Sequence, residues 1–368
     1  MTTVGFPFSK WYGASKLPLF PEYTDHGPKH VQGVLETAEA LIPAKAFAVL
    51  TDKDVAALLL SCLVHDAAMH LTEDAFIELL DGSKSRPVLT TYRDQPWDEE
   101  WTRYLGIVSR FDGRQLKKVL GASEPVQWNR SDFIEHRSEL QRKLVGEFVR
   151  RHHPRLAHEL AVLGIPGVSQ QQVTLQGVDS DTADIIGLVA RSHGHPIRWC
   201  FAHRSEEDLR HPGGVYAVYL MVLLRLADYL QMQPGRAPKD MLKVMRLRVP
   251  FSEGEWDVHG AVKGFDDLRD DPESIFVDAD PRELETFLRL TKWLHNVQAE
   301  FDTSWAVLGE VYGRYMPQLG LSLRRVRSSI DDVGKNPPSN CPCSLPRRRP
   351  SARRRGPSDG NAGICRRG

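Results

Sequence analysis

The chain has 368 residues, and lysine plus arginine and aspartate plus glutamate each total 48. That length can bury a sizeable core, but the charge balance hides an asymmetry: Gly334 to Gly368 carries nine basic residues against the single acid Asp359, leaving the rest mildly acidic. An acidic body argues against nucleic-acid binding through general charge, and no uncharged apolar stretch reaches the ~18 residues that cross a bilayer.

The start, Met1-Thr2-Thr3-Val4-Gly5-Phe6-Pro7, lacks a charged-then-apolar leader. Cys62 and Cys200 sit among apolar neighbours, as small buried hydrophobes do in a reduced protein. The expectation is a cytoplasmic protein with no membrane partner.

Val31, Val34, Leu35, Ala38 and Leu41 recur at helical spacing until Pro43. Thr51 to Asp54 offers a capping box for a second helix, Val55 to Val64, which ends in His65-Asp66. Between Gly82 and Asn129 lies a mixed region with Pro96-Trp97 and Trp101, read as a lid or insertion without chemistry of its own. Leu140, Leu144, Phe148 and His152, with Val145, Val149 and His153 beside them, follow one face of a helix that Pro154 kinks or ends. Ile185, Leu188, Val189 and Ser192 lead a helix into Arg191-Ser192-His193-Gly194-His195-Pro196, and Val215 to Leu230 forms a further apolar helix.

Beyond that helix the period changes. Met245 to Val249, Val258 to Gly264 and Ser274 to Val277 read as strands, and Pro281 to Tyr315 as one long amphipathic helix or a broken pair. From about Asp332 proline, arginine, glycine and serine dominate without apolar periodicity, which predicts disorder. The expected fold is mainly α: a helical domain over 1–235, an appended α+β segment over 236–330 and a disordered basic tail over 331–368. Two arginine triplets make that tail a weak nucleic-acid-binding candidate. A non-native origin, from a shifted reading frame on a truncated chain, is the favoured alternative.

Chemistry enters with two carboxylates in greasy helices. Asp66 ends the run Val55 to Val64, and Asp228 interrupts Val215 to Leu230. A bare carboxylate there costs several kcal/mol or more unless it is paired or bound to a cation, so two such acids with an adjacent histidine point to one shared cation. The ordered series is His30, His65-Asp66, His153, His193 and Asp228, each on its own predicted helix. Mixed imidazole and carboxylate donors suit manganese, iron, cobalt, nickel or zinc, with magnesium also admitted. His26, four residues before His30, competes with it for the same helical face, and for His153 and His193 the alternative is capping of helix-end carbonyls.

The stretches Tyr23-Thr24-Asp25-His26-Gly27-Pro28-Lys29-His30-Val31, Leu63-Val64-His65-Asp66-Ala67-Ala68-Met69-His70 and Leu224-Arg225-Leu226-Ala227-Asp228 resemble the signature of the HD superfamily of metal-dependent phosphohydrolases. The resemblance implies an all-helical core in which His30, His65, Asp66 and Asp228 hold a divalent metal. Arg150-Arg151-His152-His153-Pro154 and Arg191-Ser192-His193 resemble the extra histidine motifs of dinuclear members, which implies one or two ions per chain with Asp66 shared. Two departures stand out. Ala67-Ala68 follows His-Asp where many relatives have glycine, and no Gly-Tyr-Pro follows His195, so cyclic-dinucleotide cleavage is not expected.

The implied activity is hydrolysis of a nucleotide or other phosphoester, with Asp66, His70 as an acid and Arg191 on phosphate as the catalytic candidates. Arg225 is a further phosphate candidate, or a counter-ion for Asp228. More narrowly, the Tyr-Thr-Asp-His-Gly opening, the His-Asp-x-x-Met-His element and Arg324-Arg325-Val326-Arg327-Ser328-Ser329 resemble the HD domain that precedes an Hsp90-like ATPase in large bacterial proteins, often linked to antiviral defence. The alternative function is then a non-catalytic sensor of metal or nucleotide regulating such an ATPase, which this chain lacks.

Overall fold

Thr51 fixes where the central helical layer begins. Its hydroxyl accepts from the Asp54 amide and the Asp54 carboxylate accepts from the Thr51 amide, a closed capping box. The other Asp54 oxygen takes the Tyr216 amide at 2.7 Å, so one acid sets the start of two core helices. The computed structural model describes Tyr12 and residues 17–331, apart from 21, 82–91, 93, 137, 167–174, 176, 202–208, 210, 233–235, 237–248 and 268–269. The expected disordered tail and most of the expected strand Met245 to Val249 lie outside the described residues.

Helix α1 (Pro28–Leu41) opens on proline, whose missing amide costs nothing at a first turn. It buries His30, Val31, Val34, Ala38 and Leu41. Helix α2 (Asp52–Val64) ends at His65, and a buried 3-10 turn, Ala67–His70, follows. The tryptophan-bearing region is a packed helical layer: with α3 (Glu73–Leu79), α4 (Trp97–Val108), α5 (Gly113–Leu120) and α6 (Arg130–His136) in place, Trp101, Phe133 and Phe148 make edge contacts around Phe76.

Phe148 belongs to α7 (Glu139–Leu163), which continues past Pro154, so the proline does not end it. A mid-helix proline strips the carbonyl four residues earlier of its donor, and here His153 Nδ1 supplies one to the Arg150 carbonyl at 2.6 Å. Helix α8 (Ser180–Ser192) lies so close that a Cβ on Gly187 would meet His158 at 2.2 Å, and one on the following Gly194 would meet Pro154 at 2.0 Å. The short α9 (Ile197–Phe201) follows, and α10 (Ala217–Tyr229) is buried on all sides from Ala217 to Ala227, as an all-round apolar helix must be.

The appended segment comprises α11 (Pro250–Ala261), β1 (Val262–Asp267), β2 (Ser274–Ala279), α12 (Leu284–Val311) and β3 (Arg325–Ser328). Strand order is β1-β2-β3. Val262 pairs antiparallel with Ala279 across a register shift, and Ser274 pairs parallel with Arg325. The expected strand Val258 to Gly264 is corrected at its start: Val258 belongs to α11, because helical spacing brings it and Val262 into one cluster with Leu290 and Leu294. Helix α12 is unbroken, and β3 was not expected, since only Val326 and Ser328 of its four residues turn inward. Trp256 Nε1 donates to the Glu22 carbonyl at 3.0 Å and Trp293 Nε1 to the Tyr229 carbonyl at 3.2 Å, anchoring this segment beside the Asp228 helix.

Candidate metal centre

Five segments converge at one point. His30 comes from the first turn of α1, His65 from the end of α2, His153 from mid-α7, His193 from the C-cap of α8 and Asp228 from the last turn of α10. Asp66 has left the helix: with φ −106° and ψ 6° it occupies the sparsely populated bridge region, which turns its carboxylate away from the α2 direction into the cluster.

The Asp66 oxygens face different partners. Oδ2 lies 3.1 Å from His30 Nε2 and 3.2 Å from His65 Nε2, while Asp228 Oδ1 is 3.4 Å from His30 Nε2 and 3.8 Å from His65 Nε2. Oδ1 lies 3.5 Å from His153 Nε2 and 3.9 Å from His193 Nε2. Donors that sit about 2.1 Å from a common ion are separated from one another by such distances. His30, His65, Asp66 and Asp228 therefore form one metal-sized group, and Asp66, His153 and His193 a second.

The hydrogen bonds assign the tautomers. His65 Nδ1 donates to the Cys62 carbonyl at 2.8 Å, His153 Nδ1 to that of Arg150 at 2.6 Å and His193 Nδ1 to that of Ala190 at 2.5 Å. A neutral imidazole with its proton on Nδ1 offers a lone pair at Nε2, yet His153 and His193 set these nitrogens 2.7 Å apart. Two facing lone pairs repel, and a cation between them removes the conflict, so the residues fit a metal.

Electrostatics divides the histidines. Burial disfavours charge on His65, but Asp66 and Asp228 outweigh it and raise its pKa to about 10. Burial works to raise both Asp66 and Asp228, yet His65 and His30 hold each well below the usual carboxylate range. Burial lowers the pKa of His153, and burial followed by the neighbouring His153 and His65 lowers that of His193 to about 3, so the second pair stays neutral and available as donors.

A cavity of about 380 Å³ opens over Asp66, His153, His193 and Asp228, and Glu255, Trp256 and His259 of α11 also line it. The expected second unit therefore completes the site of the first.

Three sequence candidates lie elsewhere. His70 is buried with its ring edge-on to Tyr12 at 4.5 Å and bonds the His26 carbonyl at 3.0 Å, away from the cavity lining. Arg191 makes a two-pronged bridge to Asp94 at 2.6 and 2.7 Å and lies 4.2 Å over the Tyr92 ring. Arg225 pairs with Glu300 at 2.6 and 2.9 Å and bonds the Ser192 and His195 carbonyls, so it tethers the loop carrying His193 instead of neutralising Asp228. His26 precedes α1, which removes the helical-face argument for it; it lines the cavity, with Nδ1 on the Thr24 carbonyl at 2.7 Å. Arg236, Glu255 and His259 were missed, and no periodicity or motif marks them.

The family model described as HD-CE matches residues 20–303. No curated protein and no solved structure matches the chain.

Proposed function

This chain belongs to the HD-CE family, and from that membership and the geometry of Asp66 we propose that it is a metal-dependent phosphohydrolase acting on a nucleotide or another phosphoester. The observation that supports this most directly is one carboxylate divided between two donor groups: Oδ2 faces His30 and His65, and Oδ1 faces His153 and His193. When bound, divalent ions in such donor sets supply an activated water at neutral pH and neutralise charge on phosphoryl oxygens.

The protein's own contribution is orientation. Three imidazoles have their Nδ1 protons tied to backbone carbonyls, so no ring must turn or lose a proton from Nδ1 to present Nε2. Asp66 couples the two groups, and its burial strengthens its attraction for a cation. The cavity volume falls in the range of small-molecule sites, roughly 300–1,000 Å³, which favours a phosphorylated small molecule over a polymer as partner.

The test is phosphate release from nucleoside triphosphates, cyclic nucleotides and a generic phosphodiester by protein loaded with manganese, iron or another divalent metal. Metal-dependent release that disappears in Asp66→Ala is the expected result. Nucleotide binding to the loaded protein without turnover would replace hydrolysis with a sensing role.

A further inference from the structure

We propose that Arg236 is the substrate-binding cation of this cavity, receiving the phosphoryl oxygens of the ligand opposite Asp66 and Asp228. The inference rests on the phosphohydrolase reading and names a residue for it. Two arginines line the cavity, Arg150 and Arg236. Arg150 is committed to Glu147 through a two-pronged bridge at 2.7 and 2.9 Å. Among the described residues Arg236 has no carboxylate within ion-pair distance. Its Nε bonds the Asp25 carbonyl at 3.0 Å and its Nη1 reaches the Gln231 carbonyl at 3.4 Å, which leaves Nη2 and one Nη1 hydrogen for a ligand.

These anchors fix where the guanidinium sits. Asp25 precedes α1, which carries His30, and its amide also bonds the Arg236 carbonyl at 3.1 Å. Gln231 lies three residues beyond Asp228, and its side chain bonds the Gly33 carbonyl of α1 at 2.8 Å. The two segments that hold Arg236 are therefore continuous with two ligand-bearing helices, so the distance from the cation to the metal groups is built into the fold. A largely enclosed guanidinium without a paired carboxylate is costly. Among the described residues, Asp228, Asp66, Asp25 and Glu255 offset its charge only from beyond ion-pair distance, and the first two less so once they hold metal. The loaded cavity then presents metal ions and an unpaired guanidinium to whatever enters, and the planar fork of arginine matches two oxygens of a phosphoryl group.

The test is calorimetric titration of manganese-loaded protein with inorganic phosphate, alongside metal analysis of the same samples. Arg236→Gln should weaken phosphate binding by roughly tenfold to a hundredfold, as loss of a charge-assisted hydrogen bond does. The metal content should be unchanged, and Arg236→Lys should recover part of the affinity because it restores charge without the fork. Unaltered phosphate affinity in Arg236→Gln would overturn the assignment and leave the phosphohydrolase reading standing. Loaded wild-type protein that neither binds phosphate nor hydrolyses any phosphoester would overturn both.

Discussion

His153 donates from Nδ1 to the carbonyl of Arg150, the acceptor that Pro154 deprives of its helical amide. The proline is therefore part of the metal centre's construction. His65 and His193 do likewise at helix C-termini, His65 on the Cys62 carbonyl and His193 on the Ala190 carbonyl, which also takes the His193 amide at 3.4 Å. Three candidate-ligand tautomers are set by three backbone carbonyls, one of them freed by a proline inside a helix.

Replacing that proline tests the arrangement. Pro154→Ala returns an amide hydrogen to the Arg150 carbonyl, which then competes with His153 Nδ1 for it. The ion held by Asp66, His153 and His193 should bind about 10–100-fold more weakly, the usual cost of losing an orienting partner, while the ion at His30, His65 and Asp228 keeps its affinity. Chelator competition resolves the two steps; equal weakening of both would show that Pro154 acts through general helix disruption.

The shared carboxylate predicts unequal losses from two acid substitutions. Asp66→Ala removes an oxygen from each donor group and should abolish metal binding in both, whereas Asp228→Ala touches only the first group and should leave the second occupied. Elemental analysis after gel filtration reads the difference, with circular dichroism to confirm that both variants remain helical. Identical metal contents in the two variants would contradict a shared Asp66.

Arg191→Ala should act on stability and not on the metal. The Arg191 side chain is 5 % exposed and the Asp94 side chain 17 %, so truncation leaves a largely buried carboxylate with Arg155, 3.7 Å away, as its remaining partner. Losing the two charge-assisted hydrogen bonds costs about 1.5–3 kcal/mol, readable as a lower urea midpoint at unchanged slope. Metal content should match wild type at temperatures where the variant is folded. A variant of normal stability that had lost hydrolysis would restore Arg191 to the catalytic role that its place before His193 suggests.

Acid should destabilise the metal-free protein through two histidines outside the ligand set. Burial first, then Arg155, Arg151 and Arg103, lower the pKa of His152 to about 4, and its ring packs against Phe148 at 4.5 Å and Trp97 at 5.8 Å. Burial first, then Arg191, with Arg225 adding and Asp94 opposing, brings His195 to about 4 as it stacks on Trp199 at 4.1 Å. Unfolded histidine titrates near 6.5, so the unfolded chain binds more protons than the folded one between these values and stability rises with pH across that window. The contribution is complete above about pH 6.5 and is lost as pH falls through 4. Urea midpoints between pH 7.5 and 4.5 measure the slope, and His152→Gln with His195→Gln should flatten it.

Half of the first candidate metal group was legible in the sequence because its two acids break a local rule. Asp66 and Asp228 are acids in segments too apolar to carry them uncompensated, and their burial or near-burial beside His30 and His65 is how the fold meets that cost. The helices were legible for the same local reason: caps such as Thr51 with Asp54 and apolar spacing act within a few residues. Local pattern could not decide what depends on partners far along the chain. Pro154 ends no helix because a neighbouring side chain replaces its donor, and Arg191 and Arg225 turn from the site because Asp94 and Glu300 claim them. Arg236 and Glu255 come to the cavity from the appended segment through Asp25, Gln231 and the anchored α11. Which residues carry a buried-charge problem is a property of local composition. Which partner solves it depends on contacts between residues far apart in the chain, as Asp25 is from Arg236, and only the tertiary structure brings those together.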